Sequence, residues 1–312
     1  MQAESPPALP DPLDVIRAEG PWNHRDVAAN ACRFHIVEAG EGPLVLLLHG
    51  FPMFWWTWRH QISALAAAGY HVVAMDMRGY GGSDHTPHGY DPLTLAADVS
   101  GLIRTLGERD AVVLGHGWGG LVAWTLASQY PESVRAIASV SMPHPALMRN
   151  AYTSDPEQRR LGRYLIGFQR PFVPEHQLTK DDAELVGRFL TRWSGSAWPD
   201  ENTAMVYRAA MLVPNTAHCS IEFHRWAIRS LPRRDGRRFR SAVSAPVGVP
   251  VLQVHGQGDG AVLASSVDGS EAYAGAGYTR VDMPGVGHFP HEEDPAGFDG
   301  VLIPWLNSLT LH

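Results

Sequence analysis

The chain has 312 residues, enough for one large α/β domain or for a domain carrying an insertion. Apolar residues make up 45% and charged residues 18%, the composition of a protein with a sizeable buried core. A formal net charge of −7 argues against nucleic-acid binding across the surface. Two cysteines, Cys32 and Cys219, exclude a disulfide framework and show no zinc spacing.

The segment Met1-Gln2-Ala3-Glu4-Ser5-Pro6-Pro7 lacks the basic start and apolar run of a secretory signal. No stretch approaches the roughly 18 or more uninterrupted apolar residues of a membrane span. A cytoplasmic protein that engages neither membrane nor nucleic acid is expected. Ala31 to Val37 alternates like an exposed antiparallel strand. Leu44-Val45-Leu46-Leu47-Leu48 is continuous and reads as a central strand buried on both faces. Helical periodicity over Trp58 to Ala68 precedes the run Val72-Val73-Ala74-Met75. A second helical stretch, Leu95 to Leu106, precedes Ala111-Val112-Val113-Leu114. Ala136 to Val140, Val251 to Val254 and Tyr278 to Met283 are further candidate strands, and Ala296 to Leu309 a closing helix. This alternation predicts a mostly parallel central sheet flanked by helices.

The order breaks between about Pro143 and Ala245, where helical periodicity, prolines and aromatic residues appear without a convincing strand. A helical cap inserted over the C-terminal edge of the sheet is the simplest reading, since open α/β sheets bind ligands there. The expected division is 1–143 and 245–312 for the two parts of the core, with 144–244 as the cap. The basic run Arg233-Arg234-Asp235-Gly236-Arg237-Arg238-Phe239-Arg240 lies beside the crossover and reads as a solvated connector.

Three features carry chemistry. Gly115-His116-Gly117-Trp118-Gly119-Gly120 sits between a strand and a helix, the setting of a nucleophile elbow, in which a tight turn presents a reactive side chain. At the nucleophile position stands Gly117, which has no side chain. His49-Gly50-Phe51-Pro52 follows the central strand, and its turn can aim the Phe51 amide toward the same edge; His49 itself reads as a turn residue. With the Trp118 amide at the start of the next helix, Phe51 would form an oxyanion hole. Asp259 after a strand, then His288 in Gly285-Val286-Gly287-His288, supply an acid and a histidine in hydrolase order. The carboxylate would fix the tautomer of His288 and leave its other nitrogen facing the reaction centre. His291 completes a His-x-x-His spacing but lacks a third ligand, so no metal is expected.

These pieces, with Asp76-Met77-Arg78-Gly79-Tyr80-Gly81-Gly82-Ser83-Asp84 and His288-Phe289-Pro290-His291-Glu292-Glu293, resemble the epoxide hydrolase branch of the α/β-hydrolase fold nearly end to end. Dehalogenases share much of that frame. In the branch the elbow usually reads Gly-His-Asp-Trp-Gly-Gly, and the aspartate forms an alkyl-enzyme ester that a histidine-activated water hydrolyses. Gly117 matches the aspartate, so that role does not carry over. The resemblance also implies two cap tyrosines that donate to the epoxide oxygen. Tyr164 in Tyr164-Leu165-Ile166-Gly167-Phe168-Gln169 takes the first place, and His224 stands where the second tyrosine is usual. A histidine can donate the same bond, with a pH sensitivity set by a pKa of about 6.5.

Without the nucleophile, a water activated by His288 could attack an ester, lactone or epoxide directly. The same base could instead abstract a substrate proton, giving a lyase or isomerase, or the pocket could serve only to bind a ligand or partner. Phe51, Phe54, Trp55, Trp56 and Trp118, with His116, predict a small, largely apolar substrate. No organic cofactor is expected, and a homodimer is among the assemblies left open.

Overall fold

The computed structural model describes residues 8–309, so the reading of Met1 to Pro7 lies outside the described residues. Eight strands form one sheet: β1 (Asn23–Ala29), β2 (Cys32–Ala39), β3 (Leu44–Leu48), β4 (His71–Met75), β5 (Ala111–His116), β6 (Val134–Val140), β7 (Val251–Gly256) and β8 (Tyr278–Met283). Their spatial order is β1-β2-β4-β3-β5-β6-β7-β8. The β1/β2 and β2/β4 pairs are antiparallel, and the other five are parallel. The mostly parallel sheet flanked by helices that the strand and helix alternation predicts is present, as the α/β-hydrolase resemblance implies.

Helices α1 (Pro12–Ile16), α2 (Arg59–Ala67), α3 (Pro92–Thr105) and α4 (Trp118–Gln129) belong to the first part of the chain. Seven more separate β6 from β7: α5 (Pro145–Ser154), α6 (Pro156–Leu161), α7 (Arg163–Gly167), α8 (Val173–Trp193), α9 (Glu201–Met211), α10 (Thr216–Arg229) and α11 (Arg234–Ala242). The chain closes with α12 (Pro290–Glu293) and α13 (Pro295–Ser308). Local signals explain several boundaries. Asp91 caps α3 by accepting from the Leu93 and Thr94 amides at 3.1 and 3.0 Å, and Pro92 follows at the first helical position.

The all-apolar strands are buried on both sides, as a parallel sheet between helical layers requires. Val45, Leu47, Val72, Ala74, Val112 and Leu114 pack on one face, and Leu44, Leu46, Leu48, Val73, Met75 and Val113 on the other. Each valine, leucine or methionine among them contributes roughly 1.5–3 kcal/mol by leaving water. The segment read as an exposed strand at Ala31 to Val37 requires correction. It is antiparallel, but as β2 it lies between β1 and β4, with Phe34, Ile36 and Val37 fully buried. Strand β1 escaped the sequence reading because Asn23, His24, Arg25 and Asp26 at its start are polar edge positions without alternation.

The Asp76 motif also has a structural explanation. Its buried carboxylate accepts from the Trp55 amide at 2.8 Å, the Gly82 amide at 2.9 Å and His35 Nδ1 at 2.7 Å, which pins the loop after β4 beneath β2. Arg233, Arg234, Arg237 and Arg238 are exposed at and along α11. Arg233, Arg234 and Arg238 join Arg225, Arg229, Tyr90 and Trp226 along a polar groove of ≈ 1000 Å³, none of whose lining residues belongs to the elbow or to the loops of Asp259 and His288. Cys32 and Cys219 are buried and unpaired. Among the described residues no helix is long and apolar enough to cross a membrane.

Candidate active site

The parallel strands β3, β5, β7 and β8 deliver the residues of interest to one edge of the sheet, at their C-terminal ends. At the end of β5 the chain turns so sharply that two glycines are obligatory. A Cβ on Gly115 would lie 2.1 Å from the Gly119 carbonyl oxygen, and one on Gly119 would lie 2.3 Å from the Leu48 oxygen. Gly117, at φ 52° and ψ −116°, differs. Its Cβ position meets only Gly50 Cα at 3.7 Å and His288 Nε2 at 3.8 Å, both ordinary contacts. The elbow therefore has room for a side chain at the position where this chain has none.

His288 is held from several directions. Its Nδ1 donates to Asp259 Oδ2 at 2.8 Å, and Asp259 Oδ1 accepts from the Ala261 and Val262 amides at 2.7 and 2.8 Å. The carboxylate is thus fixed by backbone on one oxygen and fixes the histidine with the other. The Trp193 carbonyl accepts from the backbone amides of both His288, at 2.9 Å, and Gly260, at 3.2 Å, which ties the two loops together. Glu293 clamps the same region: its carboxylate accepts from the amides of Gly195, Ser196, Gly287 and Phe289 at 2.9–3.1 Å and from the Ser196 hydroxyl at 2.8 Å. Sequence reading quoted Glu293 only as part of a motif. It missed Trp193, whose contribution is a backbone carbonyl and carries no residue-type signal.

The Phe51 and Trp118 amides donate to no protein acceptor among the described residues, and Trp118 opens the twelve-residue helix α4. Free amides at a helix start favour an anion. Around them the walls are aromatic. The Phe51 ring packs against His224 at 4.8 Å, Phe189 at 5.8 Å and Phe168 at 5.9 Å between centroids, and Trp193 packs against His288 at 5.6 Å. Phe168, Phe189 and Trp193 come from α7–α8 and its flanks, so the helical insertion covers this edge of the sheet. Tyr164 lies against Phe168, Phe189, Trp193 and His224. Its hydroxyl makes no hydrogen bond among the described residues, and burial pushes its pKa up, so it stays a proton donor.

His224 does not act as sequence reading expected. Its Nδ1 donates to the Ser220 carbonyl at 2.8 Å, and its Nε2 accepts from the Trp118 indole N–H at 3.1 Å. Both nitrogens are occupied and neither can donate to a ligand. Burial lowers its pKa to about 4, so the ring is neutral and insensitive to pH through the physiological range. Of the other expected residues, His116 lies beneath the site and donates from Nε2 to the His288 carbonyl at 2.8 Å. Burial drives its pKa well down. Phe54 packs against Trp56 and Tyr207, away from the dyad. Trp55 is turned into the core, its indole donating to the Ile16 carbonyl at 2.8 Å beside Trp22 and His24. His49 is a turn residue, with Nδ1 on the Gly50 carbonyl and Nε2 accepting from the Met77 amide, each at 3.0 Å. His291 Nε2 bonds the Thr57 hydroxyl at 2.7 Å.

The buried histidines set an acid limit on stability. A folded-state pKa of about 4 for His224, below the unfolded value of 6.5, means that the unfolded chain binds more protons under acid conditions. The stabilisation is complete above pH 6.5 and is lost as pH falls toward 4. Between pH 7 and pH 4.5 His224 is expected to withdraw about 2 kcal/mol. Urea denaturation at the two pH values should show a smaller decline for His224→Gln than for the wild type.

Residues 43–295 match the family described as the alpha/beta hydrolase fold, and the chain belongs to that family. Within it the likeness is to epoxide hydrolases. Epoxide hydrolase A of Mycobacterium tuberculosis is 31% identical over 326 residues, covering 94% of this chain and 100% of that protein. AB hydrolase superfamily protein YfhM of Bacillus subtilis is 30% identical over 287 residues, covering 90% of this chain and 97% of its own. Among solved structures, an epoxide hydrolase from an endophytic Streptomyces superposes with a TM-score of 0.81 at 28% identity, covering 93% of this chain and 97% of that one.

Proposed function

We propose that the protein hydrolyses a small, largely apolar epoxide, ester or lactone, with the Asp259–His288 dyad as general base and water as the attacking group. The observation that carries this reading is the placement of His288 Nε2, 3.8 Å from the Cβ position of Gly117, while Nδ1 is fixed on Asp259. A water lodged over Gly117 would give up a proton to Nε2 and attack a carbon held against the aromatic walls. The Phe51 and Trp118 amides would stabilise an ester or lactone oxyanion. For an epoxide, Tyr164 would protonate the leaving oxygen. No bond between enzyme and substrate forms. Residues 144–244 serve as the cap that excludes bulk water, and 1–143 with 245–312 form the hydrolase core.

Wild type and His288→Ala should be compared on phenyl glycidyl ether, phenyl acetate and a γ-lactone in carboxylate-free buffer. Turnover that depends on His288 is expected for at least one of them. A single turnover in ¹⁸O-water should place the label in the product at once. Absence of turnover, or activity unchanged in His288→Ala, overturns the reading.

A further inference from the structure

We propose that the Gly117 cleft binds a small external carboxylate, such as formate or acetate, which acts there as the nucleophile. The inference rests on the hydrolase reading of the dyad but adds a co-substrate site to it. Three independent observations converge on one volume. The Phe51 and Trp118 amides have no protein acceptor among the described residues, and the latter starts the long helix α4. The His288 side chain is only 7% exposed, and its Nε2 has no partner among the described residues while facing the same volume. Gly117 leaves that volume open, with only Gly50 Cα and His288 Nε2 within 4 Å of its Cβ position.

A planar anion with two oxygens suits this arrangement. One oxygen can accept from the Phe51 amide after β3 and from the Trp118 amide at the positive end of α4, and the other can face the aromatic chamber where an apolar substrate would lie. A neutral ligand would leave the amides poorly matched, and a dianion would lack the cations it needs, since no Lys or Arg is among the residues placed here. The size of the carboxylate sets an order. A free carboxylate cannot approach Gly117 Cα closer than a non-bonded contact of about 3.5 Å. Formate, with nothing beyond the carboxyl carbon, needs the least room; acetate adds one methyl group, and pivalate, with three, needs the most.

The reaction balances without another reagent. A carboxylate oxygen attacks an epoxide carbon, the ring C–O bond breaks, and the freed oxygen takes the Tyr164 proton, giving a hydroxyalkyl ester. His288 then takes a proton from water, whose oxygen attacks the ester carbonyl carbon. The alkyl oxygen leaves with the proton from His288, and the proton released by the regenerated carboxylic acid restores Tyr164. The sum is epoxide plus water to diol, with the carboxylate returned.

The test is diol formation from phenyl glycidyl ether by wild type in sodium formate, acetate, pivalate or chloride at equal ionic strength. The rate should rise saturably with formate, by about tenfold or more as a bound group replaces a free one, less with acetate, and not with pivalate or chloride. With doubly ¹⁸O-labelled formate the diol should carry one labelled oxygen, because the second step cleaves the acyl–oxygen bond. A rate indifferent to formate, or formate that only inhibits, or an unlabelled diol, overturns the proposal. Gly117→Asp assayed without formate separates the two readings. If that variant turns over the epoxide while wild type ignores formate, only the carboxylate site fails; if both are inert, the hydrolase reading fails with it. A formate titration of wild-type tryptophan fluorescence, reporting Trp118 and Trp193, stands in should Gly117→Asp not fold, and an absent, non-saturable response overturns the site.

Discussion

Gly117→Asp is expected to raise epoxide turnover by about 10²–10⁴-fold, because loss of a triad nucleophile costs a hydrolase roughly 10⁶ and leaves only the contribution of binding and the oxyanion hole. The structure makes the substitution sterically affordable. A Cβ at 117 would contact Gly50 Cα at 3.7 Å and His288 Nε2 at 3.8 Å, so neither the elbow nor the β3 loop has to move. The carboxylate would project toward the space bounded by Tyr164, Phe51 and His288. The cost falls on the backbone, since φ 52° with ψ −116° is a conformation that side-chain-bearing residues rarely adopt. About 1–3 kcal/mol of stability should be lost, visible as a lower urea midpoint. Gly117→Asn is the matched control, equal in size and backbone cost but lacking the nucleophile. If Gly117→Asp folds and is no faster than Gly117→Asn, the remaining residues do not form a competent epoxide site.

Strands β3 and β5 were legible because each carries a continuous apolar run followed by turn residues, and a doubly covered sheet demands that pattern. Strand β1 was not, because its outer residues face solvent and carry no periodicity. At the site, the elbow and the His288 loop were legible from glycine spacing, which reflects close backbone approaches such as Gly119 on Leu48. What a side chain does with its nitrogens was not legible. His224 has the right residue type and position for a donor, yet the Ser220 carbonyl and the Trp118 indole occupy both ring atoms, and only three-dimensional neighbours reveal that. Trp55 illustrates the same limit: a tryptophan one residue from Phe54 points into the core because α1 offers its indole a carbonyl acceptor. Of the two donors expected from the sequence, Tyr164 keeps its phenol free of hydrogen bonds among the described residues, and His224 does not.

Asp259→Asn should separate binding from catalysis at this site. In the wild type, Oδ1 accepts from the Ala261 and Val262 amides, and Oδ2 accepts from His288 Nδ1–H. An asparagine can satisfy the two amides only with its carbonyl oxygen, which turns its NH₂ group toward His288. Nδ1 must then become an acceptor, and the proton moves to Nε2. The histidine would present a donor to the Gly117 cleft in place of a lone pair, and its capacity as a base would be lost. In a serine protease the corresponding change lowers kcat about 10⁴-fold through the wrong tautomer. A loss of that order is expected here in the Gly117→Asp background, where the rate is large enough to measure it. Formate binding to Asp259→Asn should be retained or tightened, because Nε2–H adds a donor to the two amides that face the anion. Turnover and fluorescence titrations on the same preparations read the two effects. A variant that loses formate binding together with activity would show that Asp259 holds the loop in place rather than setting the proton on His288.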